Sequence, residues 1–268
     1  MEGVSFPEFA RHAADAGFAA VTINSALYED AVAEGFGEGD LKRFLDDLGL
    51  VVSDVDPLFN WLPDAVQIPG NDIISRCTRA SIEEVFHLAK LLGCDLVNAP
   101  PGLASPDSEQ QIVDGFAALC EQAAAQELRI CLEFMPFTRV PDLQTAARIV
   151  SAANCDNGGI MIDCWHHHRS GGTAEDVLAV PADKFFAMQL DDALAEPMQD
   201  ILEETLNHRL LPGEGCIDLP ALLTNLHAIG AQPLYDVEVF KASLRECSAT
   251  ERASQLFNSA NKLLNGAD

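Results

Sequence analysis

Residues 129–165 read RICLEFMPFTRVPDLQTAARIVSAANCDNGGIMIDCW. Two short apolar runs, RICLEF (129–134) and GIMIDCW (159–165), flank the stretch DLQTAARIVSAAN, whose apolar residues recur at helical spacing. Neither run alternates polar with apolar residues, so each suits a strand buried on both faces of a parallel sheet. The same unit extends outward in both directions. Further apolar runs are FAAVTIN (18–24), LVVSDVDP (50–57), CDLVNAP (94–100), FFAMQL (185–190) and PLYDVEVF (233–240). Between them lie helical patterns such as PEFARHAADAG, DLKRFLDDLG, ASIEEVFHLAKLLG, SEQQIVDGFAALCEQAAAQ and DLPALLTNLHAIG, several of which end at Gly as helices often do. Seven apolar runs alternating with helices predict an α/β fold, a (β/α) barrel of the TIM type more than a doubly wound sheet. The segment 191–215 is the least regular, and DILEETLNHRL within it reads as a helix or a long loop. No internal repeat divides the chain, so residues 1–268 are expected to form one domain.

Composition narrows the function. Of 268 residues, 48% are hydrophobic and 22% charged, a globular balance that rules out a disordered or fibrous chain. Lys and Arg number 16 against 42 Asp and Glu, a formal net charge of −26. That charge repels a phosphate backbone, and no basic stripe offsets it, so no nucleic-acid partner is expected. No run is long and apolar enough for a membrane span, and the N-terminus lacks a basic region followed by an apolar stretch. The eight cysteines form no C-x-x-C pair, and several sit in apolar runs, as reduced core residues of a cytoplasmic protein would. Neither G-x-G-x-x-G nor a P-loop motif follows any strand, which disfavours dinucleotide and triphosphate enzymes.

In parallel barrels chemistry collects where strands end. The last four apolar runs end in Glu133, Asp163, Gln189 and Glu238. A single acid at a strand end is more often a helix cap. Four in succession, each in an apolar run, point to a site. Three carboxylates and an amide oxygen make a hard donor set, which favours Mn²⁺, with Mg²⁺ and Co²⁺ as alternatives, over zinc. Asp54 and Asp56 end the second run, with Phe59, Asn60 and Trp61 behind them. Acids and aromatics at a barrel mouth suit a sugar-like ligand, although aromatics more commonly pack beneath loops. Trp165 has the same two readings.

The segments AADAGFAAVTIN, LEF (132–134), IDCWHHHRSG (162–171), QLDDA (189–193), RLLPGEG (209–215) and DVEVF (236–240) span nearly the whole chain. In them the chain resembles the sugar phosphate isomerases and epimerases of the xylose-isomerase-like TIM-barrel superfamily. The resemblance implies a divalent metal held by Glu133, Asp163, Gln189 and Glu238. Many members have His where Gln189 stands, a departure that makes the site harder. It also implies that His166 faces a substrate oxygen or the metal edge, while His167 and His168 form a polar loop. Arg209 would hold a hydroxyl, carboxylate or phosphate of the substrate, with a structural salt bridge as the rival. Arg169 would bind an anion or pair with an acid. Glu214 would cap the helix beginning near Asp218. The expected substrate-binding set is Arg209, Asp54, Trp61, Trp165 and Arg169.

The implied enzyme moves protons next to the carbonyl of a sugar-like keto-polyol, with Glu133 and Glu238 as base and acid and His166 orienting the substrate. A dehydratase acting on 3-dehydroshikimate or a keto-inositol is the rival, since the same enolate can expel a β-hydroxyl. A non-catalytic sugar-binding barrel is a third reading. A His-rich endonuclease IV site is disfavoured by the charge and by the few His at strand ends. The partner is expected to be a small molecule, and a homo-oligomer is compatible with the sequence. Family members begin with a strand, whereas here Met1 is followed almost at once by a helix. Seven strands are therefore expected, with an opening between FAAVTIN and PLYDVEVF covered by a partner chain or the N-terminal peptide. The alternative is a start site placed too late in the gene.

Overall fold

The computed structural model describes residues 4–102 and 108–266. Its strands are β1 (Ala20–Ile23), β2 (Val51–Val55), β3 (Leu96–Asn98), β4 (Arg129–Glu133), β5 (Gly158–Asp163), β6 (Phe185–Leu190) and β7 (Leu234–Val237). Each lies within one of the apolar runs, except that β5 begins one residue before its run. All pair in parallel, in chain order from β1 to β7, and curve into a nearly closed barrel. Around it run α1 (Phe6–Ala16), α2 (Ser25–Ala33), α3 (Asp40–Asp47), α4 (Ile73–Cys77), α5 (Ile82–Leu92), α6 (Glu109–Ala124), α7 (Leu143–Ala153), α8 (Cys164–Arg169), α9 (Ile201–Asn207), α10 (Leu219–Ala228), α11 (Ala242–Arg245) and α12 (Ala249–Asn265).

Non-alternating runs are covered on both sides. Ile130, Cys131 and Leu132 of β4 and Ile160, Met161 and Ile162 of β5 are all fully buried between barrel interior and helices. Helix starts follow side-chain chemistry: Ser81 and Ser108 open α5 and α6 with capping boxes, each answered by the residue three positions on, Glu84 or Gln111. All eight cysteines are free, five of them buried. Among the described residues no helix is long and apolar enough to cross a membrane.

Among the described residues no ladder joins β7 to β1. The stretch 191–211 supplies no eighth strand. It holds α9 and two isolated antiparallel bridges, Asp192 to Leu210 and His208 to Lys241. Side chains span the gap instead: Thr22 Oγ1 of β1 reaches Asp54 Oδ1 of β2 at 2.8 Å and Asp236 Oδ2 of β7 at 3.2 Å. The outer layer closes where the sheet does not. Helix α1 ends at Gly17 with φ +108, and a Cβ there would stand 2.9 Å from the Phe257 ring of α12. Glycine thus serves both the left-handed turn and the close approach. Phe18 meets the same ring edge-on at 5.2 Å. The first three residues of the N-terminal peptide lie outside the described residues.

Candidate active site

The register places Asp163 of β5 beside Gln189 of β6, and Glu133 ends β4 one strand away. Glu238 follows β7 directly. Asp163 caps the short helix α8 by accepting from the His166 backbone N–H at 2.7 Å, which folds the His166 ring back over the strand ends. Glu133, Asp163 and His166, all buried, each offer an atom within 4.8 Å of the others. Glu133 Oε1 is 3.6 Å from His166 Nε2, and its Oε2 accepts from Asn98 Nδ2 at 2.7 Å. Asn98 Nδ2 also donates to Asp56 Oδ1 at 2.8 Å, and Gln189 Nε2 donates to Asp56 Oδ2 at 3.0 Å. Glu238 enters through Arg209, whose Nη1 lies 2.6 Å from Asp163 Oδ2, 2.7 Å from Asp191 Oδ2 and 3.2 Å from Glu238 Oε2.

Buried acids outnumber cations here, and their titration reflects it. Burial, then the nearby charges of Glu238 and Asp163, pushes Glu133 well above the ordinary carboxylate range. Burial raises Glu238 to about 8, against the pull of Arg209. Asp56 and Asp191 also rise well above it, chiefly by burial and then by neighbouring acids. Asp163 alone falls below its ordinary value, because Arg209 and His166 together outweigh its burial. Burial lowers His166 to about 4, so the ring is neutral near pH 7 and its contact with Glu133 is not an ion pair. Within this cluster, Gln189 Oε1 and His166 Nδ1 are buried without any hydrogen-bond partner. Surplus negative charge, convergent oxygens and an unpartnered amide oxygen together suit a divalent cation.

A family model described as the xylose isomerase-like TIM barrel matches residues 10–260. The chain belongs to this family. An inosose isomerase of Bacillus licheniformis is 31% identical over 183 residues, which are 65% of this chain and 65% of that one. A 3-dehydroshikimate dehydratase of Pseudomonas aeruginosa is 29% identical over 90% of this chain but only 37% of its own length. The chain thus spans less than two thirds of the length of these relatives. Among solved structures, an IolI protein with a bound zinc atom superposes with a TM-score of 0.86 at 21% identity, covering 100% of this chain and 95% of that one. A fusion of a xylose isomerase-like barrel with a 4-hydroxyphenylpyruvate dioxygenase gives 0.84 at 25% identity, over 99% of this chain and 42% of that one.

Most of the residues expected to bind substrate are engaged with other protein groups. Trp61 is 6% exposed, donates its indole N–H to Pro100 O at 2.7 Å and meets Phe116 edge-on, so it packs against α6. Trp165 is fully buried, bonds Glu204 Oε1 at 3.1 Å and lies under the Arg209 guanidinium. Arg169 pairs with the buried Glu204 at 2.5 Å, the structural one of its two readings. Asp54 turns to the β1–β7 gap, where Ser53 and Thr22 donate to Oδ1. Arg209, 2% exposed, takes the salt-bridge role, with Thr205 O and Oγ1 accepting the N–H bonds that the acids leave. His167 is buried, its Nε2 against Thr173 O at 2.9 Å. His168 Nε2 stands 3.5 Å from Cys216 Sγ. Glu214 caps nothing; Asp218 caps α10 itself, and Glu214 accepts from Lys241. The P-G-E-G turn folds around Asp192, which accepts from the Gly213, Gly215 and Ile217 backbones. Gly215 is required there, since a Cβ would stand 2.3 Å from Ala193 O.

Asp56, Asn98 and Asp191 belong to the cluster, yet strand-end carboxylates of the last four runs do not reveal them. Asn98 carried the same signal as Glu133, a polar residue closing an apolar run. Half-buried Phe137 and Phe240 border the cluster, the first edge-on to His166 at 5.6 Å and the second over Arg209 at 5.2 Å.

Proposed function

We propose that the chain is a divalent-metal-dependent isomerase or epimerase acting on a cyclic keto-polyol of the inosose type. The observation that carries this reading is the buried Glu133, Asp163 and His166 group at the strand ends of the barrel, with Gln189 Oε1 left unpartnered beside it. Relatives that are enzymes, inosose isomerases at about 30% identity among them, support it. Glu133, Asp163, Gln189 and Glu238 would hold the cation, and the oxygen-rich set with a neutral amide favours Mn²⁺ over zinc. Such a cation supplies positive charge to adjacent substrate oxygens and to the charge that develops as a proton leaves carbon.

The protein's own groups do the rest. In the metal-free chain burial raises Glu238 to about 8 and pushes Glu133 up as well, and a bound cation would draw both back down, so their proton affinity is set by the two opposing effects. Two carboxyls on separate strands give access to two faces of a carbon or to two carbons, which epimerisation or isomerisation needs. Neutral His166 offers a hydrogen bond to a substrate hydroxyl. Phe137 and Phe240 supply apolar edges for the C–H faces of a ring.

Dehydration of 3-dehydroshikimate is the second reading, favoured by similarity to such enzymes along 90% of the chain. Its substrate carries a carboxylate that calls for a free Arg. Arg209 and Arg169 are both committed to buried acids, which favours the uncharged polyol. The test is incubation with Mn²⁺ in D₂O, with inososes and 3-dehydroshikimate offered separately. Deuterium uptake and an isomeric product from an inosose support the isomerase. Water loss from 3-dehydroshikimate alone transfers the assignment to the dehydratase, and inertness toward both overturns the two together.

A further inference from the structure

We propose that Asp56 is a positioning residue that fixes the Gln189 amide with its oxygen free for a hard divalent cation, so that the two residues together set which metal the site accepts. The inference rests on the reading that the cluster holds such a cation.

Gln189 is fully buried, so its amide cannot turn to water in either orientation. Its Nε2 donates to Asp56 Oδ2 at 3.0 Å, while Oε1 meets no donor. With a cation bound nearby to hold Asp56 ionised, its oxygens offer lone pairs only, so a reversed amide would set oxygen against oxygen. Asp56 in turn is held in place. Its backbone N–H bonds Ile23 O at 3.0 Å, and Asn98 Nδ2 occupies Oδ1 at 2.8 Å. The same Asn98 amide donates to Glu133 Oε2 at 2.7 Å, which ties Asp56 to the group formed with Asp163 and His166. Asp56 follows β2 and Gln189 lies on β6, so the bond crosses the barrel mouth. A buried amide oxygen without a donor is costly in an otherwise well-bonded cluster. It becomes favourable once a cation takes it as a ligand. A neutral amide oxygen at this position is a harder donor than an imidazole would be there, so Gln189 biases the set toward a hard ion even with the His166 ring close by.

The experiment measures Mn²⁺ and Zn²⁺ binding to the metal-free full chain by calorimetry, with each metal alone as the probe. Asn at position 56 offers one acceptor where Asp offers two, so either Asn98 or Gln189 loses its partner. Asp56→Asn is expected to weaken Mn²⁺ about tenfold or more and to narrow its advantage over Zn²⁺. Loss of one negative charge would also weaken both metals, and a double-mutant cycle separates the two effects. In a Gln189→Ala background Asp56→Asn should cost about fivefold less than in the wild-type background, because no amide remains to be oriented. Asp56→Ala, which removes both acceptors, should repeat the same coupling and guards against a folding defect peculiar to Asn. Equal losses in the two backgrounds, or unchanged Mn²⁺ binding by Asp56→Asn and Asp56→Ala, overturn the proposal alone. A wild-type chain that binds neither metal overturns the cation reading and this proposal with it.

Discussion

At the scale of single residues, the site is a small set of carboxyls whose roles depend on what surrounds each one. Glu133 and Glu238 are the groups expected to move protons. Replacing either with Gln should cut deuterium exchange into an inosose by about 10²–10⁴-fold, the usual weight of a positioned acid or base. A dehydratase needs only one such base, so unequal losses in the two variants would favour that chemistry. Gln189→His should shift the Zn²⁺-to-Mn²⁺ affinity ratio toward zinc, read by competition between the two metals, because an imidazole replaces the amide oxygen. The limits of sequence reading are sharpest here. Asp54 and Asp56 sit two apart in one run and look alike on paper. Strand alternation would put both on one face, but β2 ends at Val55, so Asp54 stays on the strand at the β1–β7 gap while Asp56, just beyond it, joins the cluster. Trp61 was ambiguous for a similar reason, since an indole that packs and an indole that stacks on a sugar have the same sequence.

Elements were far more legible. Each of the seven strands announced itself because burial on both faces demands a run without polar breaks, and residues such as Ile130 and Ile160 had no alternative place to go. Among the described residues β1 and β7 share no ladder, in keeping with the seven apolar runs of the sequence. What could not be read was how the gap is bridged, by Thr22, Asp54 and Asp236. Burial, with the charge of Asp236 adding to it, raises Asp54 to about 7. The folded chain keeps this proton up to about pH 7, whereas the unfolded chain releases it near pH 4, so the group's contribution to stability is full below that lower value and declines between the two. Asp54→Asn, which keeps an acceptor for Thr22 and carries no charge, should therefore stabilise the protein at pH 8 by on the order of 3 kcal/mol. The difference should vanish below about pH 4, as urea unfolding at several pH values would reveal.

For the molecule as a whole, a net charge of −26 and an acidic barrel mouth act together. Added NaCl should raise the melting temperature of the metal-free protein by screening this repulsion. Mn²⁺ should do more than an equal ionic strength of NaCl. At about 100 times its dissociation constant a ligand that binds only the folded state adds about 2.7 kcal/mol, or about 5–10 °C for a chain of this size. Chelator should reverse the gain, and a calorimetric scan with equal NaCl and Mn²⁺ effects would refute specific binding.

Arg209 gives that reversibility a physical basis. Its guanidinium stands among Asp163, Asp191 and Glu238 and bonds Thr205, while its backbone N–H bonds Phe240 O, all without any metal. The cluster therefore carries a built-in counter-ion, and the strand ends around it are held together by a group that no chelator can extract. If the cluster holds a cation as proposed, loading and stripping would be changes of occupancy on a standing scaffold. One ion would then replace another without any strand being rebuilt, and the metal-free chain would already hold nearly its working shape.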